Sequence, residues 1–60
     1  MTPTTWQVVL ENRSDGSRVS VYPRGADDSG DAADRAREMG HPTYGRLPAR
    51  QWRVVKARRV

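Results

Sequence analysis

The longest uninterrupted apolar run in this chain is three residues, Val8 to Leu10. A membrane span needs about 18 or more, so any core has to be assembled from elements that are apolar on one face only. Sixty residues leave room for one small domain, 1–60. A domain of that size buries only about 60% of its unfolded surface, which makes the fold marginal unless it dimerises or binds something. No cysteine is present, which excludes disulfides, thiolate metal sites and cysteine nucleophiles. With no secretory-signal pattern either, a cytoplasmic protein is expected.

Thr5 to Asn12 alternates, with Trp6, Val8 and Leu10 on one side and Gln7, Val9 and Glu11 on the other, the period of a half-buried strand. Residues 13–17, centred on Asp15-Gly16, form a turn signal, and Arg18 to Tyr22 alternates again until Pro23 removes a ladder donor. From Asp27 to Gly40 the spacing of Ala32, Ala33, Ala36 and Met39 predicts a helix. Asp28 or Ser29 is its N-cap, Gly40 its left-handed stop, and Asp31 with Arg35 a surface pair. Residues 41–50 hold two prolines and a glycine and read as a loop that is either mobile or a binding element. Gln51 to Arg58 is β-favouring, with Trp52 and Val54 expected on one side and Arg53, Val55 and Ala57 on the other. A register shifted by one residue would turn Val55 and Ala57 inward instead. Residues 1–4 are expected to fray, and 58–60 to form a basic tail.

Strand, strand, helix, strand gives an α+β fold, ββαβ. Its three-stranded antiparallel sheet has the order 2-1-3, with one helix packed on one face. The expected core is Trp6, Val8, Leu10, Val19, Val21, Ala32, Ala36, Met39, Trp52 and Val54. The uncovered face is expected to carry Gln7, Val9, Glu11, Arg18, Ser20, Tyr22, Arg53, Val55, Ala57 and Arg59.

The formal charge is +4, but it is unevenly spread. Residues 1–34 carry three Arg against six acids, −3, and residues 35–60 carry seven Arg and one Lys against Glu38 alone, +7. The preference for Arg over Lys reflects a GC-rich codon usage and says little, whereas codon usage does not decide where the charges fall. Basic side chains interleaved with aromatics suit a nucleic-acid backbone, since cations release condensed counterions and rings stack on bases. Arg46, Arg50, Arg53, Lys56, Arg58 and Arg59 are therefore the candidate phosphate contacts. Tyr44, Tyr22 and Arg18 are candidates for stacking or groove contacts.

The Asp27, Asp28, Asp31 and Asp34 cluster lacks the spacing of a calcium loop, so capping explains it and no metal or other cofactor is expected. No nucleophile elbow or phosphate loop is present, and the chain has little room for a ligand pocket; it is not expected to be an enzyme.

The layout W-x-V-x-L, a D-G turn, V-x-V, an Ala-spaced helix and a closing W-x-V-V across residues 6–57 resembles the small strand-strand-helix-strand proteins of actinobacteria and their phages. The resemblance implies an accessory binding role and transfers no site residue. The expectation is a non-enzymatic nucleic-acid-binding module for DNA or RNA, with no membrane partner. The alternative is a protein-binding regulator or inhibitor of a host or partner protein, able to form a homodimer, that uses the open sheet face or an edge strand and meets an acidic protein surface.

Overall fold

Strict alternation along the first strand gives it two different faces, and it pairs on both sides, over its full length on one and from Val8 to Glu11 on the other. In the computed structural model, which describes residues 3–60, β1 (Trp6–Asn12) is the middle strand. It is flanked by β2 (Arg18–Val21) and β3 (Trp52–Arg59) in the order β2-β1-β3. Both pairings are antiparallel, and α1 (Ser29–Met39) completes an α+β fold with ββαβ order. The Asn12 to Ser17 connection is closed by Asn12 N–H to Ser17 O at 2.7 Å and Gly16 N–H to Asn12 O at 2.9 Å. Among the described residues no helix is long and apolar enough to cross a membrane.

The core lies between the helix and one sheet face: Trp6, Val8 and Leu10 from β1, Val19 and Val21 from β2, Trp52 from β3, and Ala32 and Ala36 from α1. Val54 and Ala57 pack at its margin. Small alanines let the helix approach the sheet closely, so most of the buried area belongs to the strands. Asp28 is the N-cap, its Oδ1 accepting from the Asp31 amide at 2.8 Å. Gly40 follows the last turn at φ 72°, where an added Cβ would collide with the Gly45 carbonyl oxygen. The residue therefore has to be glycine both for its backbone angle and for its neighbour.

Four expectations change. Met39 is not in the core but 59% exposed, and its place is taken by Leu47, which is fully buried. The Leu47 amide donates to Arg37 O at 3.2 Å, seating the side chain under the last helical turn. The 41–50 loop is anchored: Leu47 fills the core, the His41 and Gly45 backbones bridge, and Arg37 Nη1 donates to Leu47 O at 3.2 Å and Trp52 O at 2.8 Å. Arg58 and Arg59 are ladder residues of β3, not a tail, and even Val60 N–H donates to Thr5 O at 2.9 Å. Of the expected frayed segment, Met1 and Thr2 lie outside the described residues, and Thr4 O accepts from Gly25 N–H at 2.9 Å.

The fourth difference concerns the register of β3. Val9 pairs with Lys56 and Leu10 with Val54, so Val55 is an extra, unpaired residue. Such a bulge reverses the alternation on either side of it. Trp52 and Val54 face the helix before it and Ala57 after it, so both of the competing registers are each half realised.

Leu47→Ala is expected to cost about 2–5 kcal/mol, the usual range for emptying a buried Leu site. In so small a domain that shift removes most of the stability, and it can be read from the midpoint of urea unfolding followed by tryptophan fluorescence.

Candidate functional site

Among the described residues no other element covers the face of the sheet away from the helix, and the ladder fixes which side chains share it. Side chains of directly opposed residues lie on the same face. At the hairpin end the row is Arg18, Glu11, Arg53, and in the middle it is Ser20, Val9, Lys56. At the far end Gln7 pairs with Arg58, and Tyr22, one step past the end of β2, continues the outer column. The face thus presents four cations, one carboxylate, and the neutral side chains of Gln7, Val9, Ser20 and Tyr22.

Glu11 organises the hairpin-end row. Its Oε2 accepts from Arg18 Nε at 3.0 Å, and its Oε1 accepts from Arg53 Nη2 at 2.9 Å and Nε at 3.2 Å. The hydrogen bond from Arg18, then the one from Arg53, hold the Glu11 carboxyl below its ordinary value of 4.5. Farther along, Arg58 Nε donates to Gln7 Oε1 at 2.9 Å. Lys56 makes no ion pair among the described residues, and Tyr22 is 52% exposed.

The remaining predicted contacts lie elsewhere. Because of the bulge, Arg59 pairs with Trp6 on the helix-bearing face, its guanidinium 5.4 Å from the indole centroid, the range of a cation–π contact. It lines an open cleft of about 500 Å³ with Thr5 and Arg24. Ala57, also expected on the open face, turns to the core margin, and Lys56 and Arg58 take the open side instead. Tyr44 is part of the anchored loop and packs edge-on against Trp52 at 5.0 Å, with His41 at 5.5 Å. Arg46 and Arg50 are exposed in that loop, before the strand begins. Of the nine candidates, the fold therefore brings Arg18, Arg53, Lys56, Arg58 and Tyr22 together and disperses Arg46, Arg50, Arg59 and Tyr44.

Glu11 and Gln7 are the members of this surface that charge counting passed over. Alternation had already placed both on the open face, but an acid and an amide in the first strand carry no signal of contact with a strand 40 residues later. Two of the acids of residues 27–34 do local work instead: Asp28 caps the helix, and Asp31 accepts from the Asp27 amide and from Arg35 Nε, both at 3.2 Å. Comparison with protein families, curated proteins and solved structures returned no match, so the surface has to be read from its own chemistry.

A carboxylate whose folded-state value is depressed stabilises the fold above its unfolded value, and that contribution is lost as the pH falls through the lowered folded value. Acid unfolding of the protein is accordingly expected to include a Glu11 component that begins below about pH 4.5. Glu11→Gln should flatten that limb, and carbon-detected NMR titration should give a Glu11 midpoint below 4.5; a midpoint at or above it would mean the two arginine contacts do not persist in solution.

Proposed function

We propose that this chain is a non-enzymatic accessory module that binds nucleic acid through the open face of its sheet. Arg18, Arg53, Lys56 and Arg58 contact phosphates, and Tyr22 offers a ring to a base. The observation that carries this reading is the convergence of four cations on one uncovered face around a single carboxylate. Guanidinium and ammonium groups at the surface are suited to polyanions, because each phosphate neutralised releases condensed counterions. The ladder fixes their backbones on rigid elements, and Glu11 and Gln7 hold three of the four side chains extended across the sheet. Arg46, Arg50 and Arg59 lie off this face and add long-range attraction rather than contacts. An accessory role accords with the small strand-strand-helix-strand proteins that the sequence resembles, and a cytoplasmic location with the lack of cysteine.

With three to four phosphates engaged, log K should fall with log salt at a slope of roughly −2 to −3.5, depending on whether single or double strands are bound. Fluorescence anisotropy with a labelled oligonucleotide between 50 and 200 mM salt, about the range over which such contacts weaken, measures it. The pair Lys56→Glu with Arg58→Glu should abolish binding, while Arg46→Gln leaves it nearly unchanged. A slope near zero, or equal losses from all cation variants on and off the face, would sink the reading. Capture of a protein from nuclease-treated lysate, with no nucleic acid bound, would instead favour docking on a partner protein.

A further inference from the structure

Resting on that reading, we infer that the open face takes a single strand of nucleic acid rather than a duplex, with the phosphodiester backbone along β3 and the bases over β1 and β2. The chemistry of the face is divided by column. The β3 column is Arg53, Lys56 and Arg58, whereas the β2 column is Arg18, Ser20 and Tyr22; Glu11 pairs with Arg18 and Arg53 alike, which leaves Lys56 and Arg58, both on β3, without a carboxylate partner among the described residues. Arg24, past the end of β2, lines a cleft with Arg35, Glu38 and Met39 of the helix side. Uncommitted positive charge thus runs along one edge of the face.

A duplex groove is flanked by two phosphate rails and needs cations at both edges of whatever enters it. The major groove is about 12 Å wide and admits a helix or a two-stranded ribbon. The outer strands of this sheet stand about 10 Å apart between backbones alone, and the side chains widen the face further. The face is broader than the two-stranded ribbon, and its unpaired cations lie along one edge rather than two.

A single strand has the matching polarity, one row of phosphates beside one row of bases. Four residues separate Glu11 from Gln7, so the β3 cations opposite them span about 14 Å of ladder. Beside this rail lie Val9, Ser20 and Gln7, flat enough for unstacked bases. At its end Tyr22 stands 52% exposed, a ring free to stack on any base. The face holds few fixed donors and acceptors, so binding is tolerant of sequence.

The test compares a labelled 12-nucleotide mixed-sequence strand, as RNA and as DNA, with the same sequence annealed into a duplex, by anisotropy at fixed salt. The expected result is at least tenfold tighter binding of a single strand. Tyr22→Ala should weaken single-strand binding about tenfold without changing the salt slope, and Tyr22→Phe should restore it, because stacking is carried by the ring. Lys56→Gln should flatten the slope by about 0.7, the value for one phosphate of a single strand. Circular dichroism melts of each variant confirm that the exposed substitutions leave the fold intact. Duplex binding as tight as single-strand binding, or indifference to Tyr22→Ala, overturns the inference while leaving a polyanion-binding face; failure to bind either form overturns both.

Discussion

One extra residue in β3 decides what each face of the sheet presents. Without Val55 as an unpaired position, the alternation that buries Trp52 and Val54 would continue to Lys56 and Arg58, driving two cations toward the helix and leaving Ala57 and Arg59 outside. The ladder shift between Val9 and Leu10 prevents that. It turns Ala57 inward, sends Lys56 and Arg58 to the uncovered side, and lays Arg59 over Trp6. A charge buried without a partner costs several kcal/mol, whereas a bulge costs one local ladder bond. The bulge is the cheaper solution to a strand whose sequence carries two out-of-phase apolar patterns.

The same economy governs the helix side. Ala32 and Ala36 contribute little area, and polar ties at the C-terminal end of the helix add to their packing. Arg37 donates to Leu47 O and Trp52 O, joining the last turn of α1, the loop and the start of β3. Trp6 Nε1 donates to Ala26 O at 3.1 Å and fixes the approach to the helix in the same way from the other end. Both tryptophans thus occupy core positions while a polar atom of the ring or its backbone is satisfied, and among the described residues no buried side-chain nitrogen or oxygen lacks a partner. With so little apolar area in hand, each unsatisfied group would be a large fraction of the total stability.

Much of this was readable from local pattern. The strict alternation of β1, the Asp15-Gly16 turn, the Asp28 cap and Gly40 stop, and the ββαβ order with its 2-1-3 sheet are all consequences of neighbours in sequence. What was not readable depended on distant chain. Met39 continues the helical stripe, but the volume beneath the last turn is filled by Leu47, a lone apolar residue among prolines, glycine and arginines that shows no period. The bulge was invisible because Trp52–Val54 and Val55–Ala57 each alternate correctly, and only pairing with β1 shows that both are used. The candidate surface was half legible for the same reason: charge position identified the basic third of the chain, while register sorted its members onto different sides.

The remaining question of balance is why an acid sits at one end of a basic face. Arg18 and Arg53 occupy the same row on opposite edges of the sheet, and without Glu11 between them that row would concentrate like charge on the hairpin end. The shared carboxylate converts the row to one net positive charge and fixes two long side chains that would otherwise lose rotamer freedom on contact with a ligand. Same-face rows are about 7 Å apart, close to the screening length of about 8 Å at physiological salt. The unneutralised charge of the face is therefore concentrated at Lys56 and Arg58, the cations farthest from Glu11. Glu11 thus gives the positive charge of the sheet a direction, toward the end that carries the Tyr22 ring and the Gln7 amide.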